Sequence, residues 1–298
     1  MLHLTNLTNK NLTNAPLKRI ISVVKKMNDI ILTIQDISCV GQCSLTVALP
    51  ILSACGIETA VLPSSVLSNH TAFSNFTFCD LTDEMPKIKE VWENQKIKFS
   101  SVYTGYLGSA KQIALVKEIM SSCLDDNAVK IVDPAMADAG KLYTGFDMPY
   151  VQAMKELCKS ADIILPNITE ACLMTGIPYK QNFDKEYVEE LILALRNNFS
   201  AKIILTGVGF NDKTSGIAVC DEADVRYYEH EKVGGGSHGT GDVYASAFTG
   251  AYVCGKSLFE AAKTAADFTV LCIKNTDPEH WYGVRFEKCL PDLIAMLK

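Results

Sequence analysis

The sequence of 298 residues predicts an α/β fold, an open and mainly parallel sheet with helices on both faces. Three observations carry that expectation. Short aliphatic runs of the kind buried on both sides alternate with segments whose apolar residues recur at helical spacing. The first two runs, IILTI at 30–34 and ETAVL at 58–62, flank one helical segment and so form a βαβ unit, whose crossover is right-handed. Polar turn residues gather where strands end, at Asp36, Gly105-Tyr106, Asp133, Asn167 and Thr206-Gly207, and ligands of open α/β sheets lie beyond the strands' carboxyl ends.

In order, Ile30 to Ile34 reads as the first strand, Asp36 to Gly41 as its loop, and Ser44 to Cys55 as a helix stopped by Gly56. The segment Pro63 to Asp80 is polar, aromatic and irregular, and its length suits a binding flap. Thr82 is expected to cap a helix reaching about Glu93, SSVYTGY supplies the next strand, and Ser109 with Gln112 predicts a capping box for a helix to Cys123. Val129 to Val132 forms a strand ending at Asp133-Pro134, followed by a loop with Asp138, Gly140 and Gly145 and a helix from Pro149 to Lys159. Then come strand DIIL at 162–165, a short helix from Thr169, a longer one from Asp184 to Asn197, and strand KIILTG ending at Gly207. Ile217–Cys220 and Val225–Tyr228 read as an antiparallel hairpin before the closing helices. No internal repeat or linker interrupts residues 27–298, so one domain is expected there.

Residues 1–26 differ: they repeat a Leu-Thr-Asn unit, and no acidic residue precedes Asp29. They read either as an organelle-targeting presequence or as an extension ahead of a start at Met27. A net charge of −6 argues against a nucleic-acid partner, and no apolar run reaches the ~18 residues of a spanning helix, so no membrane partner is expected. Eleven cysteines without a CxxC pair point to a reduced, cytoplasmic chain rather than a disulfide framework.

The stretch Gly234–Tyr252, GGGSHGTGDVYASAFTGAY, runs from a flexible loop into a helix. Such a junction binds anions, because the first helical N–H groups lack intrahelical partners and sit at the positive end of the dipole. Asp242 is out of place beside a phosphate unless it takes a proton from the nucleophile attacking that phosphate, which points to phosphoryl transfer. Gly250–Ser257, GAYVCGKS, matches the P-loop pattern letter for letter, but it continues a helix instead of following a strand. Gly255 is better read as a helix stop and Ser257 with Glu260 as the next cap. His70 and His238 have no carboxylate or Cys at ligand spacing and read as hydrogen-bonded loop histidines.

GTGD, together with SNHT at 68–71, TGYLGS at 104–109, DP at 133–134 and PNxxE at 166–170, resembles the pyridoxal/pyridoxamine kinases of the ribokinase superfamily from Ile30 onward. ILTIQDISCVGQCSLTVALP at 31–50 is similar to the bacterial-type pyridoxamine kinase branch. The resemblance implies a ribokinase-like fold with a small flap near 63–80. It also implies ATP- and Mg²⁺-dependent phosphorylation of the 5′-hydroxymethyl group of a B6 vitamer, with K⁺ as a further candidate cation and a homodimer as the assembly. Asp242 would be the base, and the N–H groups of Gly239, Thr240 and Gly241 would hold the migrating phosphoryl group. Asp133 and Glu170 match positions around the metal and nucleotide phosphates, with Asn167 and Thr206 nearer the nucleotide. Thr71 and Tyr106 match ring-contacting positions, and Asp36 stands beside the pyridine nitrogen where the better-known pyridoxal kinases carry Ser. Two alternatives share the pattern: a hydroxymethylpyrimidine kinase of thiamine synthesis, and a non-catalytic protein that binds B6 vitamers.

Overall fold

The computed structural model describes residues 30–222, 224–234 and 238–298, so the expected extension at 1–26 lies outside the described residues. Its chain alternates as the aliphatic runs require: β1 (Ile30–Ser38), α1 (Leu45–Ala54), β2 (Glu58–Leu67), β3 (Phe78–Asp80), α2 (Met85–Gln95), β4 (Phe99–Thr104), α3 (Ala110–Ser122) and β5 (Leu124–Val132). A small ribbon, β6 (Ala137–Asp138) with β7 (Lys141–Leu142), precedes α4 (Met148–Cys158), β8 (Ile163–Ile164), α5 (Ile168–Thr175), α6 (Lys185–Asn198) and β9 (Lys202–Thr206). The hairpin β10 (Thr214–Asp221) and β11 (Asp224–Glu231) leads to α7 (Thr240–Val253), α8 (Leu258–Lys274) and α9 (Leu290–Met296).

Nine strands form one sheet in the order β11-β10-β9-β8-β5-β4-β1-β2-β3. The six from β9 to β2 are parallel, while β3 and the β10–β11 hairpin add antiparallel edges. Strand alternation sends neighbouring residues to opposite layers. Leu32 and Ile34 join a core with Val102, Val116, Met154, Leu191 and other residues of α2 to α6. Ile31 and Tyr103 join a second core with α1, α7, α8 and α9, where Phe248 and Phe268 are fully buried. The mainly parallel sheet with helices on both faces is the predicted architecture.

Three local expectations are corrected. Asp36 lies inside β1, not in a loop, because pairing with β2 resumes beyond a bulge, with Ile37 opposite Val66 and Ser38 opposite Leu67. That bulge follows the pair Gln35–Pro63, where a residue without an N–H is tolerated. The flap is also shorter than expected: Pro63–Leu67 belong to β2 and Phe78–Asp80 return antiparallel on it, which leaves residues 68–77 as the free segment. Thr82 does not cap α2. Its hydroxyl and N–H both go to Asp80, and the helix starts after Glu84. Half of the expected box on α3 forms, with Ser109 accepting from the Gln112 N–H. The Gln112 side chain instead accepts from the Gly108 N–H and donates to Ser64 and Asp80, which anchors the base of the flap.

The GKS decoy is resolved by its backbone. Gly250 to Val253 lie within α7, Gly255 has φ 98°, and the Gly255 and Lys256 N–H groups close the helix end on Tyr252 and Ala251, as in a Schellman stop. Ser257 then caps α8 by accepting from Glu260 N–H. Lys256→Ala should therefore leave kcat and the KM for a nucleoside triphosphate within about twofold of wild type in a steady-state assay, whereas a phosphate-cradling lysine would cost orders of magnitude.

Candidate active site

The chain leaves β1 through α1 to reach β2 on one side, and later returns to place β4 on the other. The carboxyl ends of β1 and β4 therefore form the topological switch point where open α/β sheets bind ligands. Asp36 sits near the end of β1, Gly105-Tyr106 follow β4, Asp133 follows β5, Asn167 follows β8 and Thr206 ends β9. All five polar positions expected at one sheet edge share it.

The heads of α1 and α7 meet at this edge. Gly239, the residue before α7, has φ 75°, and a Cβ there would lie 1.7 Å from the Gln42 carbonyl oxygen, so only glycine permits this approach. A Cβ on Gly241 would touch nothing within 4 Å, which leaves its backbone open to a ligand. The three-glycine run before this turn lies only in part within the described residues, since 235–237 fall outside them. Asp242 lies in the first turn of α7, beside the Ser44 backbone. Burial, opposed by the nearby Ser44 N–H and aided by the Asp36 charge, pushes its carboxyl up to about 7. A base poised near neutrality suits abstraction of a hydroxyl proton.

Asp36 is 5% exposed and accepts the Ser38 hydroxyl at 3.1 Å, with the Ser44 hydroxyl nearby. Burial raises its pKa, and those two hydroxyls oppose the rise. Tyr106 is half-buried, stacked on Phe146 at 5.3 Å, and its hydroxyl is pushed up to about 12 by burial and by Asp36. Thr71 is exposed on the flap. Its neighbour His70 is buried: Nδ1 accepts the Ala72 N–H and Nε2 donates to the Tyr282 carbonyl, a network that assigns the neutral Nε2–H tautomer. The His70 ring fills the space a side chain on Gly41 would need and lies 5.1 Å from the His238 ring. The expected hydrogen-bonded loop histidine is thus the joint between flap, α1 loop, GTGD turn and C-terminal segment.

Glu170 is 2% exposed and completes a capping box on α5: Asn167 accepts the Glu170 N–H while Glu170 Oε2 accepts the Asn167 N–H. Its Oε1 takes the N–H groups of Met136 and Ala137 at 3.0 and 3.4 Å. This carboxylate is largely occupied in shaping the loop after β5. Asn167 is likewise engaged, its amide nitrogen donating to Ala137, and Thr206 bridges to Asn167 as a β-partner. Asp133 is 9% exposed, and burial followed by the Glu170 and Asp242 charges raises its pKa. Among the described residues no hydrogen bond or ion pair reaches its carboxylate, and no group of three His, Cys, Asp or Glu is placed to hold a metal. A sparse site that borrows substrate oxygens and water is what Mg²⁺ uses, and a cation at Asp133 would offset the repulsion there.

Ser44 is the site residue that sequence reasoning missed. Its place before an apolar helical run signals a cap, but nothing local signals its nearness to Asp36 and Asp242.

A helix-headed glycine turn and a base near neutrality at the switch point define a small-molecule kinase of the ribokinase-like type. The sequence pattern of the phosphomethylpyrimidine kinase family matches residues 60–284. A pyridoxal kinase of Dictyostelium discoideum is 26% identical over 238 residues, 74% of this chain and 77% of its own length. A Bacteroides thetaiotaomicron protein described as a phosphomethylpyrimidine kinase, crystallised with pyridoxal, has a TM-score of 0.84 at 35% identity, covering 89% of this chain and 95% of its own. Pyridoxal kinase from Lactobacillus plantarum has a TM-score of 0.83 at 32% identity, covering 90% and 97%. The chain belongs to the phosphomethylpyrimidine kinase family.

The raised carboxyl of Asp242 also has a stability consequence. Below the ordinary value of 3.8 both folded and unfolded chains hold the proton; between 3.8 and about 7 only the folded one does, so stability falls as pH rises through that window. Asp242→Asn, which keeps the side chain's shape without its charge, should melt progressively higher than wild type from pH 4 to 7 and hold that gain above pH 7. The gain is at most about 4 kcal/mol. Scanning calorimetry across pH checks this, and an equal or lower melting temperature at pH 8 contradicts it.

Proposed function

We propose that this protein transfers the γ-phosphoryl group of ATP to the 5′-hydroxymethyl group of a B6 vitamer. The observation that carries the reading is Asp242, a carboxyl raised to about 7 at the head of a helix whose glycine turn is open to an anion. Asp242 takes the hydroxyl proton as the oxygen attacks, and the N–H groups of Gly239, Thr240 and Gly241 stabilise the charge developing on the phosphoryl oxygens. Tyr106 and Thr71 border the vitamer ring, Asp36 accepts a hydrogen bond from its protonated nitrogen, and Asn167 with Thr206 borders the nucleotide. Mg²⁺ fits Asp133 as its principal ligand, with Glu170 holding the loop behind it. When bound, it would neutralise the phosphate oxygens.

Further parts of this reading are a cytoplasmic homodimer and a requirement for Mg²⁺, with K⁺ as a second candidate cation. Eleven cysteines without a CxxC pair support a reducing compartment, and the resemblance to pyridoxal kinases supports the dimer. A hydroxymethylpyrimidine/phosphomethylpyrimidine kinase is also among the relatives, so substrate choice is the decisive measurement.

Purified protein with ATP and Mg²⁺ should release ADP with pyridoxal, pyridoxamine or pyridoxine faster than with hydroxymethylpyrimidine. The reverse order would establish the thiamine-precursor kinase, and vitamer binding without ADP release would establish a binding protein. Asp242→Ala should lower kcat by ~10²–10⁴ while the far-ultraviolet circular dichroism stays that of wild type; near-normal turnover would remove the assigned base. Asp36→Ser should change the ratio of kcat/KM for pyridoxal to that for pyridoxamine, and an unchanged ratio would place Asp36 away from the ring nitrogen.

A further inference from the structure

Phe146 lies between two tyrosines. Its ring stacks on Tyr150 with centroids 3.8 Å apart and planes within 8°, and on Tyr106 at 5.3 Å and 25°. The contact with Tyr150 has a local cause: Asp147 caps α4 by accepting the Tyr150 N–H, and the residue before the cap packs back over the helix's first turn. A helix start needs no more than that. The contact with Tyr106, which comes from the loop after β4, has no such local reason.

Both ends of the stack are held. Tyr150 is 3% exposed, and its hydroxyl donates at 2.7 Å to the carbonyl of Leu107, the residue after Tyr106. The Gly105 N–H donates to Ile34 of β1, Ser64 of β2 donates to the Tyr106 carbonyl, and the Gly108 N–H donates to Gln112. A Cβ on Gly105 would stand 2.6 Å from Gln35 Oε1, so the chain has no room to swing toward β1. Phe146 is fixed from its own loop: its N–H donates to the Tyr143 carbonyl, the Tyr143 N–H donates to Met136, and the Met136 N–H donates to Glu170. With the backbone so held, the freedom left to Tyr106 is rotation of its side chain, and the Phe146 ring covers one face of it.

We propose that Phe146 is a positioning residue for the acceptor: stacked between Tyr150 and Tyr106, it fixes the plane of the Tyr106 ring at the switch point, so that a flat heteroaromatic alcohol is held in one orientation. The proposal rests on the kinase reading above, in which Tyr106 borders the vitamer ring. Tyr106 is half-buried at the sheet edge it shares with Asp36. An aromatic face there rewards a planar partner, and its value depends on the ring being held in one plane.

Phe146→Ala, Phe146→Leu and Phe146→Tyr, each also in a Tyr106→Ala background, test this. Phe146→Ala should raise the KM for pyridoxal by ~3–10-fold while kcat and the KM for ATP stay within about twofold. Phe146→Leu, which keeps apolar bulk without a flat face, should lose as much, and Phe146→Tyr should keep the wild-type KM. In the Tyr106→Ala background Phe146→Ala should have no further effect on KM. A Phe146 that only packs the start of α4 gives another pattern: leucine rescues, the KM for ATP moves with that for pyridoxal, or the losses add in the double variant. Any of these overturns the proposal. If the alanine variant does not fold, Phe146→Leu against Phe146→Tyr carries the same comparison. Calorimetric titration with pyridoxal in the absence of ATP separates the two claims: if wild type turns over no vitamer the kinase reading fails. A Kd weakened ~3–10-fold in Phe146→Leu and unchanged in Phe146→Tyr still supports the stack. An unchanged Kd in Phe146→Leu, or no binding to the wild type, overturns it.

Discussion

Four carboxylates, Asp36, Asp133, Glu170 and Asp242, gather at one sheet edge, and none of them makes an ion pair with lysine or arginine among the described residues. Burial raises the pKa of each, and at Glu170 the counterweight is the backbone, where Met136, Ala137 and Asn167 supply three N–H groups. Uncompensated negative charge is costly in a folded chain, and the raised pKa values lower that cost by letting these acids hold protons. The arrangement divides labour by what each acid is already bonded to. Glu170 is occupied by three N–H groups, Asp36 accepts the Ser38 hydroxyl, Asp133 accepts no hydrogen bond among the described residues, and Asp242 is raised to about 7.

Holding those acids in place depends on unusually close backbone approaches. Gly41, Gly239 and Gly283 each occupy a point where a Cβ would enter a neighbour: His70 for the first and Gln42 for the other two. His70 then links the flap to the C-terminal segment through Tyr282, and Phe73 packs on Trp281 at 4.6 Å. Flap, α1 loop, GTGD turn and the segment at 280–283 therefore share one joint next to the switch point. The flap is rooted by the same logic on its other side, where buried Gln112 connects α3 to Ser64 and Asp80.

Much of the fold was legible because its signals are local. Aliphatic runs such as IILTI and KIILT can be buried only between two helical layers, and Ser109, Asp147, Asp184 and Ser257 each accept an N–H three residues ahead at a helix start. The errors fell where pairing overrode local preference. Asp36 is a poor strand former, yet β1 continues through it because β2 resumes its ladder past the bulge at Gln35 and Pro63. Thr82 looks like a cap until Asp80, paired with Ser65 of β2, takes its hydroxyl.

By itself the sequence determined the layered α/β plan, the glycine turn ahead of a helix, the acid in that helix's first turn and the demotion of GKS to a helix end. These follow from periodicity, capping and dipole chemistry acting within a few residues. Only the tertiary structure decided that the Asp36 charge lies near Asp242, that Glu170 spends its oxygens on loop N–H groups while Asp133 accepts none, and that His70 joins four segments. Those outcomes depend on burial and on contacts between elements far apart in the chain, and a carboxylate's pKa and partners have no local signature.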